Sequence, residues 1–285
     1  MNSNDAAADI KELATFLDGH SRVLVLTGAG MSTASGIPDY RDKDGVRRGK
    51  APIQGPDFRA KEAVRRRYWA RSMLGWPTLA KTLPNAGHRA IAALQAEGKI
   101  SSVLTQNVDG LHQQAGSSNV IELHGNIHQV VCLHCRAPYL RSEIQAMLEQ
   151  ANPALAGAAA TALPDGDAQF EPEEMEEFHI PACRLCGGML QPDVVFFGDG
   201  VPRERTEAAE RALAEADALL VVGSSLIVFS GFRFCRMAAA AGKPIAAINR
   251  GMTRADHLLA FKSEAAAEVM LPQLAARVID MPLGH

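Results

Sequence analysis

The chain has 285 residues, of which 47% are hydrophobic, and a formal net charge of −3 at pH 7. This length and composition suffice for one large domain, or for a large and a small one, with a buried core. The near-neutral charge argues against a nucleic-acid partner or an acidic membrane surface, and no apolar run reaches the roughly 20 residues that span a bilayer. The first residues lack the pattern of a signal or transit peptide, so we expect a cytoplasmic location by default.

Short apolar runs alternate with helical periodicity along most of the sequence. The predicted strands are, in chain order, residues 23–26, 102–105, 120–123, 219–222, 245–248 and 269–271. The predicted helices are residues 9–17, 87–97, 204–215 and 232–240. Alternation of this kind is typical of crossover connections between parallel strands. It predicts the α/β class, with a Rossmann-like parallel sheet that carries helices on both faces.

The turn after the first predicted strand is a broken version of the dinucleotide-binding fingerprint. Gly28 and Gly30 have the right spacing, but the next glycine is Gly36, and a charged loop follows in place of a helix and a second strand. The standard fingerprint is G-x-G-x-x-G at the start of a helix, with an acidic residue about 20 positions later. An ordinary NAD-dependent dehydrogenase is therefore disfavoured.

Four of the five cysteines form two C-x-x-C pairs, Cys132 with Cys135 and Cys183 with Cys186. Four thiolates at this spacing predict one structural Zn²⁺, because a closed four-sulfur site leaves no position for a catalytic water. The alternative is two redox dithiols, which is disfavoured because neither pair opens a helix in a βαβ context. The fifth cysteine, Cys235, is most simply a buried core thiol.

The chain is predicted to form a single domain, residues 1–285, with two excursions from its sheet. The Rossmann-like part comprises residues 10–41, 85–128 and 190–285. A loop and helical excursion covers residues 42–84, and a zinc module covers residues 129–189. The interval between the two cysteine pairs is longer than in a compact zinc ribbon, so we interpret it as an insertion.

Small or hydrogen-bonding residues follow five consecutive predicted strands. In an open α/β sheet, ligands lie beyond the carboxyl ends of the strands, so these residues mark the candidate site. Turn and capping chemistry explains any one of them equally well, but five consecutive instances need another explanation. The residues are Gly28, Ala29, Gly30 and Ser32 after the first strand; Gln106, Asn107, Val108 and Asp109 after the second; His124 and Gly125 after the third; Gly223, Ser224 and Ser225 after the fourth; and Asn249, Arg250 and Gly251 after the fifth.

Six sequence motifs give the chain a resemblance to a known family. They are GAGMSTASGIPDYR, TQNVDGLH, ELHG, the paired C-x-x-C, QPDVVFFGD and VVGSSL, and they extend over about residues 24–272. In this order they resemble the sirtuins, the NAD-dependent protein deacylases. The stretches YWAR, GWP, PDGD and VVFFGD resemble the class II group of that family. The resemblance implies a flexible cofactor loop in place of the missing helix, and attack on the glycosidic bond of NAD in place of hydride transfer.

The resemblance implies that three residues carry the reaction. Asn107 and Asp109 match the family residues that bind and orient the nicotinamide ribose, and His124 matches the catalytic histidine that activates a ribose hydroxyl. An imidazole with an unperturbed pKa of about 6.5 suits proton removal at neutral pH. A structural role for His124 stays open as the alternative, and His112 and His128 are assigned no role.

The resemblance also implies an NAD site formed by most of the strand-end residues and by the cofactor loop. Backbone N–H groups of the first turn would approach the diphosphate, and the loop would surround the nicotinamide. Tyr40 stands where many relatives carry Phe. The expected NAD-binding residues are Gly28, Ala29, Gly30, Ser32, Ile37, Pro38, Asp39, Tyr40, Arg41, Gln106, Asn107, Val108, Asp109, Gly223, Ser224, Ser225, Asn249, Arg250, Gly251 and Ala266.

The expected second substrate is an acylated lysine of a protein or peptide. Tyr68 and Arg71 resemble the pair with which class III members bind acyl carboxylates, which favours dicarboxylic, or long or branched, acyl groups over acetyl. In the other interpretation, this stretch is the solvated face of a helix with Tyr68 and Trp69 packed inward, and both interpretations stay open. The segment that matches the peptide-pairing strand of relatives consists of Val195, Phe196, Phe197 and Gly198.

Two further functions compete with deacylation. An ADP-ribosyltransferase would use the same cleavage of NAD but transfer the sugar to protein without any acyl substrate. A non-catalytic zinc-ribbon interaction module would cleave nothing, and the polar residues at five strand ends argue against it.

Overall fold

The computed structural model describes residues 3–39, 52–156 and 177–279 of the chain. Its strands are β1 (Val23–Thr27), β2 (Ile100–Thr105), β3 (Val120–Glu122), β4 (Gly125–Cys132), β5 (Pro138–Leu140), β6 (Leu190–Val194), β7 (Ala218–Val222), β8 (Ile245–Ile248) and β9 (Phe261–Ser263). Its α-helices are α1 (Ser3–Asp18), α2 (Gly55–Ala60), α3 (Glu62–Leu79), α4 (Ala86–Ala96), α5 (Leu111–Gln114), α6 (Arg141–Ala151), α7 (Arg203–Glu215), α8 (Phe229–Ala240) and α9 (Ala267–Ile279).

The larger sheet is parallel, with the strand order β3-β2-β1-β7-β8-β9. This arrangement confirms the predicted α/β class. The chain order runs outward in one direction from β1 to β3 and in the other direction from β7 to β9. The crevice between the ends of β1 and β7 is therefore a topological switch point, where open parallel sheets bind their ligands.

Helices cover both faces of the larger sheet, as the sequence predicted. Because successive side chains of a strand point to opposite faces, β1 contributes to two cores. Val23 and Val25 pack with α1, α4 and α9, whereas Leu24 and Leu26 pack with α7 and α8. All five residues of β1 are buried, which explains its continuous apolar sequence.

A smaller antiparallel sheet is formed by β5, β4 and β6, in that order. Helices α2, α3 and α6 share one hydrophobic core with it, which includes Phe58, Trp69, Ile144 and Leu190. The two expected excursions therefore form one structural unit where the structure describes them. The sheet begins at Gly125 of β4 and ends with β6, so it extends past the expected module limits of 129–189 on both sides.

The predicted strand at residues 269–271 is wrong, because these residues lie within α9. The buried side chains of α9 recur at helical spacing, whereas Val269 is 51% exposed. The edge strand of the sheet is instead β9. It has only three residues, and its middle residue is Lys262, so no apolar run in the sequence indicated it. The buried residues of α9 are Ala267, Met270, Leu271, Leu274, Ala275 and Val278.

Candidate active site

A cavity of about 950 Å³ opens between the carboxyl ends of the parallel strands and the smaller sheet. It lies at the switch point between β1 and β7, beyond the carboxyl ends of the strands, where the sequence analysis expected the site. The expected site residues that line it are Gly28, Ala29, Gly30, Ser32, Ile37, Pro38, Asp39, Tyr68, Gln106, Asn107, Val108, Asp109, His124, Val195, Phe196, Phe197, Gly198, Gly223, Ser224, Ser225, Asn249, Arg250 and Ala266.

Five expected residues are not on the described wall of the cavity. Arg71, Gly125 and Gly251 lie elsewhere in the described part of the chain. Tyr40 and Arg41 lie outside the described residues.

The turns after β1 and β7 touch through their backbones. The N–H of Gly30 donates a hydrogen bond of 2.9 Å to the carbonyl of Gly223. Gly223 has φ +60°, and a Cβ atom there would lie 2.4 Å from the backbone nitrogen of Met31. A Cβ atom on Gly28 would lie 2.7 Å from that of Ser224. Only glycine fits this contact, and it leaves a backbone-lined wall of the kind that diphosphates approach.

Three side chains join the turn after β1 to the turn after β2. The amide of Asn107 donates to the carbonyl of Gly28 and to Oγ of Ser32, each at 3.0 Å. The hydroxyl of Ser32 then donates to Oδ2 of Asp109 at 2.7 Å. The N–H of Leu111 donates to the other carboxylate oxygen at 3.0 Å. Because each donor has a matched acceptor, the carboxylate has a fixed orientation.

Burial raises the pKa of Asp109, and the hydrogen bonds from Ser32 and Leu111 oppose this effect. The backbone of the same turn is held from behind, because Nε2 of His128 lies 3.0 Å from the carbonyl oxygen of Asp109. A carboxylate in a site with little water interacts strongly with a positive charge that develops beside it. Asp109 is therefore suited to stabilise a cation-like centre in the cavity.

His124 follows β3 and is held by both ring nitrogens. Nδ1 lies 3.0 Å from the carbonyl oxygen of Gln106, and Nε2 lies 2.8 Å from Oγ of Ser230. Burial lowers the pKa of His124; the Gln106 carbonyl opposes this effect, and the positive charge of Arg205 adds to it. The imidazole is therefore neutral at neutral pH, as a general base must be.

The turns after β7 and β8 are held by hydrogen bonds to and from polar side chains. The hydroxyl of Ser224 donates to Oε1 of Gln106 at 2.6 Å, which links the turn after β7 to the turn after β2. The amide of Asn249 donates to the carbonyls of Arg250 at 3.0 Å and Gly251 at 3.2 Å. Gly251 therefore supports this turn from outside the cavity.

A buried histidine supports the turns from behind, although the sequence assigned it no role. Nε2 of His112 lies 2.9 Å from the hydroxyl of Thr27, which donates to Oγ1 of Thr105 at 2.8 Å. Oγ1 of Thr105 in turn accepts the N–H of Asn107 at 3.0 Å. The ring of His88 contacts that of His112, with centroids 4.8 Å apart. Burial lowers the pKa of His88 to about 4 and that of His112 to about 3, so both rings are neutral.

The wall near α3 is aromatic. The ring of Tyr68 packs at 5.3 Å from that of Phe58 and at 5.4 Å from that of Phe196. Trp69 is fully buried, so Tyr68 and Trp69 point inward, as the second interpretation expected. Arg71 is also buried and is only 8% exposed, so it is not part of a solvated face. Neither interpretation of this stretch describes it completely.

The four paired cysteines form one cluster, and none of them lines the described wall of the cavity. Their Sγ atoms all lie within 4.8 Å of one another. Cys132 and Cys186 are 3.6 Å apart, and Cys135 and Cys183 are 3.7 Å apart. Four sulfurs at about 2.3 Å from one tetrahedral ion lie about 3.8 Å apart, so this cluster fits a Zn²⁺ ion.

Cys235 is fully buried, as expected, and burial raises the pKa of its thiol to about 12.

The sequence of the chain matches a known protein family over the residues that form much of the cavity. The model of the Sir2 family matches residues 28–230, which is most of the chain. The chain belongs to the Sir2 family. The sirtuin resemblance of the sequence motifs is therefore confirmed, whereas membership of the class II group stays a prediction.

Close relatives share the Sir2-family sequence over nearly their whole length. The NAD-dependent protein deacetylase of Xanthomonas axonopodis pv. citri is 52% identical over 258 residues, which cover 90% of this chain and 88% of the relative. The NAD-dependent protein deacetylase of Bordetella bronchiseptica is 50% identical over 267 residues, which cover 94% of this chain and 97% of the relative.

Solved Sir2 structures share the fold. One structure of a Sir2 enzyme has a TM-score of 0.75 at 30% identity, and the match covers 96% of this chain and 98% of that one. A structure of Sir2 with a p53 peptide and NAD⁺ has a TM-score of 0.74 at 27% identity, with 95% and 97% of the two chains covered. The present chain therefore has the fold of these Sir2 structures.

Some residues of this Sir2-family site were not found from the sequence. Phe229, Ser230 and Arg233 of α8 line the cavity. No local signal marks them, because a serine or an aromatic residue in the first turn of an amphipathic helix is ordinary. Their role depends on the orientation of α8 toward His124, which only the tertiary structure gives.

Proposed function

We propose that this chain is an NAD-dependent protein lysine deacylase, which removes acyl groups from lysine side chains and releases nicotinamide. The observation that carries the proposal is the imidazole of His124, held by Gln106 and Ser230 in the same cavity as the network of Ser32, Asn107 and Asp109. The names of relatives that are 52% and 50% identical to the chain support the protein deacetylase activity.

The residues around the cavity fit NAD. The close glycine turns leave room where side chains would fill it, and we propose that they face the diphosphate. We place the adenosine ribose at Asn249 and Ser224, the nicotinamide ribose at Asn107 and Asp109, and the carboxamide at Ile37 and Asp39. The remaining expected contacts keep the same proposed role: Gly28, Ala29, Gly30, Ser32, Pro38, Tyr40, Arg41, Gln106, Val108, Gly223, Ser225, Arg250, Gly251 and Ala266.

Bound NAD supplies an electrophilic sugar carbon, because its bond to nicotinamide breaks through a cation-like centre. In the proposed mechanism, the carboxylate of Asp109 stabilises that positive charge, and Ser32 and Asn107 hold the carboxylate in place. His124 receives a proton at Nε2 from a sugar hydroxyl, which then becomes a nucleophile. The carbonyl of Gln106 keeps the other ring nitrogen protonated, so that the lone pair of the neutral ring lies on Nε2.

The acylated peptide is proposed to lie along residues 195–198. This segment is fixed at both ends, because the N–H of Val195 donates to the carbonyl of His124 at 2.8 Å and the carbonyl of Phe197 accepts the N–H of Gly55 at 2.9 Å. A peptide that binds through hydrogen bonds to the backbone of this segment is recognised with little sequence preference. The expected contacts of this segment are Val195, Phe196, Phe197 and Gly198.

The aromatic wall around Tyr68 favours the binding of long or branched acyl groups, because burial of an apolar chain against it stabilises the complex. A dicarboxylic acyl group would need the guanidinium of Arg71 to reach the cavity, and Arg71 is not among its lining residues. Replacement Arg71→Met should therefore change the turnover of succinyl and acetyl substrates by similar factors. A selective loss of at least tenfold with the succinyl substrate would establish Arg71 as the carboxylate partner.

We propose one structural Zn²⁺ at Cys132, Cys135, Cys183 and Cys186. The distances between the sulfur atoms support four-thiolate binding, and such a site has no open position for a substrate. The expected role is to join the turn that follows β4 to the loop that precedes β6.

The decisive experiment incubates the purified protein with NAD and a panel of lysine peptides that carry acetyl, longer apolar or dicarboxylic acyl groups. Mass spectrometry should detect free nicotinamide, deacylated peptide and acylated ADP-ribose in equal amounts. His124→Ala should lower the formation of the last two by at least about 100-fold, the scale of a lost general base. If no peptide of the panel causes nicotinamide release, the proposal is wrong.

The same experiment separates deacylation from ADP-ribosyl transfer. A transferase would release nicotinamide and label protein with ADP-ribose in the absence of any acylated peptide.

For location, the described part of the chain contains no helix that is both long and apolar enough to cross a membrane. A cytoplasmic location stays a prediction.

A further inference from the structure

The nitrogen of His124 that should act as the base is already engaged by a hydroxyl of the protein. A carbonyl oxygen can only accept hydrogen bonds, so Nδ1 of His124, at 3.0 Å from the carbonyl of Gln106, carries the proton of the neutral ring. Nε2 then has no proton and one lone pair. The hydroxyl of Ser230, at 2.8 Å, must therefore donate its hydrogen to Nε2.

Ser230 is held in this position by its neighbours in the fold. It lies in the first turn of α8, where Gly231 packs against Gln106 so closely that a Cβ atom would lie 2.4 Å from Nε2 of the Gln106 amide. The residue that caps α8 is Val228, with no side-chain hydrogen bond, so Ser230 does not cap the helix. Among the described residues, His124 is the hydrogen-bond partner found for the Ser230 hydroxyl.

The hydroxyl of Ser230 has acceptor capacity left on the side of the cavity. A serine oxygen has two lone pairs in addition to its single donor. Both Ser230 and His124 line the cavity, and the lone pair of His124 Nε2 is already used. A sugar hydroxyl that enters the cavity therefore meets an available acceptor on Ser230 Oγ.

We propose that Ser230 is a further catalytic residue, which relays the proton from the sugar hydroxyl to His124. In this step the O–H bond of the sugar breaks and a new O–H bond forms on Ser230. At the same time the original O–H bond of Ser230 breaks and an N–H bond forms at Nε2. Ser230 is unchanged at the end, His124 is an imidazolium, and the sugar oxygen is the nucleophile. This inference rests on the proposed deacylase function, because it assigns the path of that reaction's proton.

The premise is tested in the protein without substrate. Nitrogen-15 NMR of labelled histidine should show His124 at pH 7.5 as the tautomer with the proton on Nδ1, and the Nε2 resonance should move when Ser230 is replaced by Ala. A wild-type ring with the proton on Nε2 would overturn the relay, whatever the activity of the protein.

The catalytic step is tested by single-turnover kinetics of four proteins: wild type, Ser230→Ala, Ser230→Thr and Arg236→Ala. Nicotinamide release precedes the action of the base, so it should stay within about twofold of wild type in Ser230→Ala, whereas formation of deacylated peptide should fall by at least about tenfold. Ser230→Thr keeps the hydroxyl and should restore most of the rate. Arg236 lies on the exposed face of the same helix, so its replacement should have no effect.

The outcomes separate the relay from a structural role and from failure of the proposed function. Alanine is favourable inside a helix, so Ser230→Ala should unfold at the wild-type temperature. Deacylation within twofold of wild type in this variant, or an equal loss of nicotinamide release and deacylation, would overturn the relay. If the wild type releases no nicotinamide, the deacylase proposal fails, and the NMR measurement still decides the hydrogen bond.

Discussion

The hydroxyl of Ser32 donates a hydrogen bond of 2.7 Å to the carboxylate of Asp109, and this bond joins the turn after β1 to the turn after β2. The two residues are far apart in sequence and are both buried. Burial raises the pKa of the Asp109 carboxyl, and the hydrogen bond from Ser32 is the largest effect that opposes it. The contact therefore controls the charge of the residue that we propose stabilises the cation-like centre.

Replacement Ser32→Ala should raise the pKa of Asp109 further, because a hydrogen bond to the ionised form is lost. The ionised fraction at a given pH then falls. We expect the acid limb of kcat/KM to move to higher pH by about one unit, the scale of one charge-assisted hydrogen bond. The measurement is a pH profile of nicotinamide release. An acid limb that stays at the wild-type pH would show that Asp109 does not act as a carboxylate.

The charge of Arg205 should affect the pKa of His124, as the hydrogen bond from Ser32 affects the pKa of Asp109. Arg205 forms an ion pair of 2.6 Å with Asp193, beside the backbone of Gly125 that follows the base. Because the positive charge lowers the pKa of His124, Arg205→Gln should raise it and also leave Asp193 unpaired. The neutral base then requires a higher pH, so the acid limb of deacylation moves upward.

The matched control for this change is Arg203→Gln. Arg203 lies on the same helix but is largely exposed and pairs with Glu207, and an exposed pair of this kind contributes little. Its variant should keep the wild-type pH profile. Equal shifts in the two variants, or none in Arg205→Gln, would remove Arg205 from the control of His124.

The cysteine cluster predicts a strong dependence of folding on metal. Cys183→Ala removes one of four sulfur ligands, and structural zinc sites contribute on the order of 10 kcal/mol to folding. We expect the zinc content to fall from about one ion per chain to near zero, together with a large loss of soluble yield and of thermal stability. Cys235→Ala is the control, because this buried thiol lies outside the cluster and its loss removes only a small apolar volume. Full zinc content in Cys183→Ala would contradict the proposed site.

The sequence predicted the larger sheet and most of the turns that line the cavity, because apolar runs such as the buried β1 end in small or polar residues. The strands of the smaller sheet were not predicted, because β6 includes Pro192 and Asp193 and β5 has only three residues. Ser230 and His112 were missed for another reason. Each acquires its hydrogen-bond partner from a distant part of the chain, and a lone serine or histidine in a helix gives no sign of that partner.

The two buried histidines predict how the stability of the fold depends on pH. Nδ1 of His88 accepts the N–H of Asn85, so its Nε2 carries the proton, whereas Nε2 of His112 donates to Thr27 and its Nδ1 is bare. His88 Nε2 and His112 Nδ1 are among the buried side-chain atoms that have no hydrogen-bond partner within the described residues. The two rings are in contact. Protonation of either ring would place a positive charge where burial disfavours it.

The sign of the effect follows from the lowered pKa values. The unfolded chain binds protons at these histidines from about pH 6.5 downward, whereas the folded chain binds them only near pH 4 and below. The stability that they contribute is present above pH 6.5 and is lost progressively as the pH falls toward 4. We expect this loss to be on the order of 3 kcal/mol in the free energy of unfolding for each of the two histidines by pH 4. Asp109 and Glu122 have raised pKa values and contribute with the opposite sign.

Urea unfolding at a series of pH values, for wild type and for His112→Gln, isolates the histidine contribution. The variant keeps polar atoms near Thr27 but cannot be protonated, so it should be less stable than wild type at pH 7.5 and show a flatter decline between pH 6.5 and 4. His20→Gln is the control, because His20 is partly exposed and its Nδ1 lies 2.7 Å from the carbonyl oxygen of Phe16, four residues earlier in the chain. If His112→Gln has the same pH slope as wild type and His20→Gln, then the buried pair does not remain neutral in the folded protein.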